Sequence, residues 1–266
     1  MKVYILTDME GVSCVVREEQ TTPGSREYDE ACLLLTRDIN AAVDGALEGG
    51  ATEIIVNDLH GARAGFNLIL EELHKGAKYI TGGPRPCRLA GLDRSFNVAF
   101  MVGYHAMAGT QNAVLEHTMS TRVIVNAYIN DRRVGEIGID SSMLGYFGVP
   151  VALVTGCKRA VEEAKSLLGG VEGVIVKEGL SRNFAICLPP AQTRDLIRKA
   201  AKRAMQKVAD LKPFLVGSPV TVKIEYSHPN YADMQARTPA IERVDARTVR
   251  CQGENLLEVM RRVGWY

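Results

Sequence analysis

The sequence predicts an α/β fold: a mostly parallel sheet with flanking helices in Rossmann-like layers, an antiparallel hairpin and a smaller C-terminal α/β lobe. Two observations support this prediction. Short apolar runs rich in strand-forming residues alternate with longer segments of helical spacing, which is the pattern of strands joined by crossover helices. Several of these runs end abruptly in acidic residues, histidine or glycine, as strands do where they enter loops at one edge of a sheet.

The first half of the chain follows this alternation closely. Ser25 can cap a helix that runs to about residue 47, and Gly49-Gly50 ends it. In chain order, the apolar pattern predicts a strand at 3–6, the helix from 25, a strand at 53–57, a helix at about 67–75, a short strand near 79–80 and a buried strand at 98–102.

From residue 119 to about 137 the pattern changes to an antiparallel hairpin, whose return arm at 134–138 carries Glu136. Further elements are expected at 140–147 (helix), 151–154 (strand), about 161–168 (helix), 174–176 (strand), 190–209 (helix), 220–226 (strand) and 256–260 (helix). We expect one catalytic unit, 1–266, divided near Gly156 into a metal-site lobe, 1–156, and a C-terminal lobe, 157–266.

Composition narrows the classes of function. The chain has 266 residues, 46% of them hydrophobic and 24% charged, as in ordinary globular proteins, and a net charge of +1, which gives no reason to expect nucleic acid or membrane as a partner. None of the six cysteines forms a C-x-x-C pair, so we expect free thiols in a reducing compartment. With no signal peptide and no apolar run of membrane-spanning length, the predicted location is the cytoplasm.

Three predicted strands end in residues that can bind metals. Asp8 and Glu10 follow the first strand, Asp58 and His60 follow the second, and His105 follows the strand at 98–102. In an extended chain, side chains at i and i+2 point the same way, so Asp8 and Glu10 place two negative charges together, which is costly without a proton or cation between them. Ligands of such sheets bind beyond the carboxyl ends of the strands, so these residues predict a site.

The candidate ligands form a mixed oxygen and nitrogen set that suits zinc, and also manganese or cobalt. They are Asp8, Glu10, His60, His105 and Glu136. Because a catalytic zinc needs only three protein ligands, five predict two metals about 4 Å apart, with Asp8 as the best candidate for a bridging ligand. Such a pair would polarise a carbonyl group and lower the pKa of a shared water to about 7.

His117, just before the hairpin, can serve as a general base, a nucleophile or an oxyanion partner, or can be an ordinary loop histidine. The signatures H-E-x-x-H, G-x-S-x-G, G-x-G-x-x-G and the Walker loop do not occur. Because H-E-x-x-H is missing, the sequence is not that of the usual helical zinc protease.

With these residues assembled, the sequence resembles the D-aminopeptidase family of dinuclear zinc metallopeptidases, a group linked to bacterial dipeptide-transport operons. The likeness covers essentially the whole chain. It is densest in Asp8-Met9-Glu10-Gly11, Val56-Asn57-Asp58-Leu59-His60, Gly103-Tyr104-His105-Ala106, Glu116-His117-Thr118-Met119, Tyr128-Ile129-Asn130-Asp131, Val134-Gly135-Glu136 and Ser181-Arg182.

The resemblance implies a metal-dependent aminopeptidase that releases N-terminal residues, including D-residues, from short peptides. It implies two Zn²⁺ per subunit, with Asp8 bridging them, Glu10, His60, His105 and Glu136 completing the shells, and His117 as the catalytic histidine. It also implies a ring-like homo-oligomer, such as a decamer, whose active sites face an enclosed chamber. Substrate contacts are expected from Lys177, Ser181 and Arg182, and a surface salt bridge is an equal alternative for Lys177.

Two stretches depart from the family pattern: Cys14, and the pair Cys157-Lys158. The pair Cys157-Lys158 puts in doubt a contact from that loop to the substrate amine.

Two alternatives to a peptidase stay open at this point. One is a dinuclear metallohydrolase of another bond, such as a phosphoester or a cyclic amide, because the same two-metal chemistry serves those bonds. The other is a metal-binding or peptide-binding protein without turnover.

Overall fold

The computed structural model describes residues 1–266, and its strands form two sheets. The strands are β1 Lys2–Thr7, β2 Glu53–Asp58, β3 Lys78–Ile80, β4 Val98–Tyr104, β5 Ile124–Ile129, β6 Arg132–Arg133, β7 Val151–Cys157, β8 Glu172–Ser181, β9 Phe184–Cys187, β10 Val220–Tyr226, β11 Ile241–Arg243 and β12 Thr248–Gly253. The larger sheet has the order β3-β2-β1-β4-β7-β8-β9, and the smaller one has the order β11-β12-β10-β5-β6.

Six α-helices accompany the sheets: α1 Arg26–Glu48, α2 Glu136–Tyr146, α3 Lys158–Leu168, α4 Pro190–Gln206, α5 Pro229–Gln235 and α6 Leu256–Arg262. The Ser25 side chain accepts a hydrogen bond from the backbone N–H of Tyr28, so it caps α1 as expected. Helix α1 packs beside α4, and α2 packs beside α3. None of the helices combines the length and apolar character that crossing a membrane requires.

The larger sheet is parallel from β3 to β8, and only β9 runs antiparallel. Strand β1 lies between β2 and β4, and Thr7 at its end is paired with both Asp58 and Val102. The carboxyl ends of these three strands are therefore level, and the loops that follow them share one edge of the sheet. The smaller sheet is antiparallel. The predicted fold class is confirmed.

Two predicted elements differ in the structure. The hairpin is short: β6 has only two residues, and Glu136 begins helix α2 instead of lying on a return strand. The helix expected at 67–75 is only a 3₁₀ turn at Leu70–Glu72, in a segment otherwise without regular structure. Gly156, where the sequence analysis divides the chain into two lobes, lies inside β7, which pairs with β4 and β8.

Candidate metal centre

The structure brings six predicted residues to one edge of the larger sheet. Asp8 and Glu10 follow β1, His60 follows β2, and His105 follows β4. Glu136 is the first residue of α2, where the positive end of the helix dipole favours a carboxylate. His117 comes from the irregular segment between β4 and β5. Of the other two histidines, His74 pairs with Asp44 and His228 caps α5.

Two glycines allow the backbone after β1 to lie directly against the end of β4. The Gly11 N–H donates to the Gly103 carbonyl over 2.7 Å, and a Cβ on Gly11 would lie 2.0 Å from the Tyr104 carbonyl oxygen. Gly103 has a φ of +79°, and a Cβ there would lie 2.1 Å from the Asp8 carbonyl oxygen. Only glycine fits at either position, and this close approach brings Asp8 beside His105.

The first group of metal-competent side chains consists of Asp8, Glu10 and His60. His60 Nδ1 lies 3.2 Å from Asp8 Oδ1 and 3.4 Å from Glu10 Oε2. All three ligand atoms therefore converge on one small volume at the end of β1.

The second group consists of His105, His117 and Glu136. His105 Nε2 lies 3.3 Å from Glu136 Oε1 and 3.2 Å from Asp8 Oδ2, the carboxylate oxygen that does not face His60. His117 Nε2 lies 3.5 Å from Glu136 Oε1, and its ring stacks on that of His105 with centroids 4.0 Å apart. The two oxygens of Asp8 thus face different groups.

Main-chain carbonyls fix the orientation of all three imidazoles. His60 Nε2 lies 2.9 Å from the Thr21 carbonyl oxygen, His105 Nδ1 lies 3.0 Å from that of Ala106, and His117 Nδ1 lies 2.9 Å from that of Leu115. Because a carbonyl oxygen only accepts, each of these nitrogens carries the proton, and the opposite nitrogen of a neutral ring presents a lone pair. Those lone pairs face carboxylates, an arrangement that needs a cation or a second proton between them.

Buried polar atoms without hydrogen-bond partners support the same conclusion. Asp8 Oδ2, Glu10 Oε2 and His105 Nε2 are buried and have no hydrogen-bond partner. Ligands of a tetrahedral zinc at 2.0–2.1 Å are separated by about 3.3 Å, which matches the 3.2–3.5 Å spacings within the two groups. The residues therefore fit a metal ion in both chemistry and spacing.

The site's electrostatics favour charged side chains despite burial. Burial opposes the charge on His60 and His105, but neighbouring carboxylates raise the pKa of both well above the ordinary value. Burial likewise opposes ionisation of Asp8, Glu10 and Glu136, yet the histidines hold all three pKa values below their usual range, that of Glu136 at about 2. Protons on the histidines thus supply the positive charge that a metal would otherwise provide.

A buried ion pair that the sequence analysis missed supports Glu136. Arg88 Nη2 donates to Glu136 Oε2 over 3.2 Å and to Asp140 Oδ2 over 3.0 Å, and its Nε donates to Asp140 Oδ1 over 2.6 Å. The Tyr104 hydroxyl donates to Asp140 Oδ2 over 2.7 Å. Glu136 and Asp140 are one turn apart on α2, and such a like-charged pair on a buried face could have indicated a cation between them.

The three residues predicted to contact the substrate have different structural settings. Lys177 is buried, and its ammonium donates to three main-chain carbonyls, so it has no donor left for a substrate. Arg182 Nη1 donates to the carbonyl and carboxylate oxygens of Glu116, next to His117. Ser181 is exposed at the end of β8. Asp58 points away from the metal-competent groups and accepts hydrogen bonds from the backbone and side chain of Asn67.

The two departures from the family pattern have simple structural settings. Cys157 is buried at the start of α3, and Lys158 pairs with Glu178 over 2.7 Å. Cys14 is half-buried in the loop after β1, with a φ of +64°.

The metal-competent atoms open into a cleft of about 550 Å³, which is large enough for a small peptide.

With this geometry established, comparison with known proteins identifies the family. Residues 1–264 match the family model described as D-aminopeptidase. The chain belongs to the D-aminopeptidase family. A D-aminopeptidase of Bacillus subtilis (strain 168) is 35% identical over 260 residues, which cover 97% of this chain and 93% of that protein. The prediction of a metal-dependent aminopeptidase is confirmed by this membership.

A solved structure shows the same fold. The Zn-dependent D-aminopeptidase DppA from Bacillus subtilis, described as a self-compartmentalizing protease, superimposes with a TM-score of 0.94 at 34% identity, covering 98% of this chain and 95% of that one. The α/β architecture described above is therefore that of the family.

Proposed function

We propose that this protein uses two zinc ions to release N-terminal residues, including D-residues, from short peptides. The observation that carries the proposal is the position of Asp8: one carboxylate oxygen lies 3.2 Å from His60 and the other lies 3.2 Å from His105. A bidentate carboxylate between two groups of ligand atoms is what a bridging ligand requires. Glu10 and His60 would complete one shell, and His105 and Glu136 the other.

The metals would polarise the peptide carbonyl and lower the pKa of a shared water to about 7. The protein holds the metal-binding side chains in place before the metal ions bind. Each imidazole is fixed by a carbonyl, and Glu136 Oε1 also accepts a hydrogen bond from the Met119 N–H over 2.9 Å. Such outer partners orient the ligand atoms, and the carbonyls that accept the imidazole N–H groups also make those imidazoles more basic.

We assign the catalytic histidine role to His117. Its Nδ1–H donates to the Leu115 carbonyl, so its Nε2 lone pair faces the cleft, 3.5 Å from Glu136. Arg182 braces the preceding residue, Glu116, and the Arg182 carbonyl accepts a hydrogen bond from the Leu115 N–H over 3.0 Å. A fixed imidazole with a free lone pair can remove a proton or attack a carbonyl carbon.

The relatedness to DppA supports our proposals for the metal and the assembly. The related DppA is Zn-dependent and self-compartmentalizing, so we propose zinc as the metal and a closed ring-like homo-oligomer, such as a decamer, that admits only short peptides. Six unpaired cysteines support a reducing, cytoplasmic location.

The test measures zinc per subunit together with hydrolysis of D-Ala and L-Ala dipeptides, before and after chelation. We expect two equivalents of zinc, cleavage that stops when zinc is removed, and faster cleavage of the D-Ala peptide. His117→Ala should retain both zinc ions and lose about 100-fold or more in kcat. His74→Ala removes a half-buried histidine that pairs with Asp44 and is not part of the metal-competent groups, and it should match wild type in zinc content and kcat. Loss of one zinc in His117→Ala would make His117 a ligand instead, and full activity with both ions bound would refute its role. Two zinc ions without peptide cleavage would favour a phosphoester or cyclic amide substrate.

A further inference from the structure

One buried cation lies beside the metal centre without contacting any proposed ligand side chain. Lys177, on β8, is 1% exposed, and its ammonium donates to the carbonyls of Glu10 over 2.5 Å, of Val12 over 2.7 Å, and of Val15. An ammonium has three N–H donors, and all three are used here. Burying a charge is costly, so a lysine in this position needs a structural or functional reason.

The three acceptors belong to the loop that carries Glu10. This loop has no regular secondary structure between β1 and residue 17, so most of its carbonyls have no partner in a helix or sheet. It extends from the end of β1 towards the loop after β9, where the Ser13 hydroxyl donates to the Leu188 carbonyl over 2.5 Å. Without Lys177, three loop carbonyls would lose their cationic donor and the backbone beside Glu10 would be free to move.

Glu10 needs such support more than the other carboxylate ligands do. Glu136 is held by Arg88 and by the Met119 N–H, and Asp8 lies directly at the end of β1. Glu10 lies three residues beyond the last residue of β1, and its Oε2, like Asp8 Oδ2, has no hydrogen-bond partner. Its position is set through the backbone, and the Glu10 carbonyl is where Lys177 acts.

We propose that Lys177 is a positioning residue for the metal centre, and that its three hydrogen bonds to the loop after β1 hold Glu10 where it can bind one of the two metal ions. This inference rests on the proposed dinuclear site. It assigns Lys177 to one of the two metal shells, the one formed with Asp8 and His60, and not to the other.

Zinc binding to the metal-free protein, measured by competition with a chromophoric chelator, tests this proposal. Lys177→Met keeps most of the aliphatic stem and removes the donors. We expect it to weaken one of the two zinc equivalents by about 10–100-fold, as loss of an outer partner typically does, and to leave the other unchanged. Lys158→Met, which removes an exposed lysine paired with Glu178, is the matched control and should bind both ions as wild type does.

A double-mutant cycle separates positioning of Glu10 from general destabilisation. Glu10→Gln should weaken the same zinc equivalent. If Lys177 acts through Glu10, adding Lys177→Met to Glu10→Gln should change zinc affinity by no more than about twofold. The circular dichroism spectrum of each metal-free variant establishes that it is folded; if Lys177→Met does not fold, Lys177→Gln, which retains two N–H donors, replaces it.

Two results would overturn the inference: a folded Lys177 variant that binds both zinc ions with wild-type affinity, or an equal loss of affinity in the wild-type and Glu10→Gln backgrounds. Neither would affect the proposed function, provided that wild type binds two zinc ions. Wild-type protein that binds none would instead refute the proposed function.

Discussion

Replacing Arg88 by methionine should be among the most destabilising single changes in this protein. Asp140 is fully buried, and its carboxylate accepts two hydrogen bonds from Arg88 and one from the Tyr104 hydroxyl. The Arg88→Met variant keeps an unbranched apolar side chain but leaves Asp140 charged, with a single donor. Glu136 loses a donor as well.

The expected cost follows from the unpaired charge. Removing one partner of a buried ion pair typically costs about 3–5 kcal/mol, mostly because the remaining charge stays buried. In a chain of this size, each kcal/mol lowers the melting temperature by roughly 2–4 °C, so we expect a decrease of roughly 10 °C. Arg250→Met, which breaks an exposed pair with Glu242, should cost less than about 1 kcal/mol.

The assay is urea unfolding of metal-free protein, so that altered zinc binding does not contribute. Adding Asp140→Asn to Arg88→Met removes the unpaired charge while keeping the shape, and should recover much of the lost stability. If Arg88→Met cost no more than the Arg250 control, or if Asp140→Asn made the double variant still less stable, the explanation from an unpaired buried charge would be wrong.

Three further predictions concern other parts of the molecule. Burial raises the pKa of Asp38 from 3.8 to about 7, so between these pH values the folded protein holds a proton that the unfolded chain has released, and stability falls as the pH rises. In urea unfolding, Asp38→Asn should therefore be more stable than wild type by roughly 4 kcal/mol at pH 8 but not at pH 4. Gly11→Ala should unfold at lower temperature and bind zinc more weakly, because its Cβ would overlap backbone atoms, whereas Gly217→Ala, in open space, should do neither. Zinc should displace protons from His60 and His105, so zinc binding near pH 7 should release protons and zinc affinity should fall as the pH is lowered. In calorimetry the release appears as a dependence of the binding enthalpy on the ionisation enthalpy of the buffer, and its absence would contradict the raised pKa values of the two histidines.

The sequence predicts the part of the site that the parallel sheet determines. Asp8, His60 and His105 follow three strands that are neighbours in the sheet, and the level strand ends bring them together. The rule that ligands bind beyond the carboxyl ends of such strands needs only the strand positions, which short apolar runs give reliably. The convergence of these three side chains therefore follows from the order of strands and loops along the chain.

The rest of the site depends on contacts that local patterns do not encode. The apolar and small residues around Glu136 alternate as in a strand, yet the segment begins α2. Asp58 shares the i, i+2 spacing with His60, but the chain leaves the extended conformation after Asp58, whose side chain turns to Asn67. Arg88 lies in a segment without regular structure, so no periodicity indicated its role.

Charge explains why these scattered residues act together. Four buried carboxylates surround the site, whereas the basic side chains beside them are Arg88 and Lys177. The carboxylates belong to Asp8, Glu10, Glu136 and Asp140. Arg88 compensates Asp140 and part of Glu136, and Lys177 contacts only the backbone of Glu10, so negative charge remains between the histidines. Additional positive charge must come from protons on His60 and His105 or from metal ions. Since a divalent ion brings more charge than a proton and satisfies several ligand atoms at once, the same excess of carboxylates that destabilises the metal-free site favours metal binding.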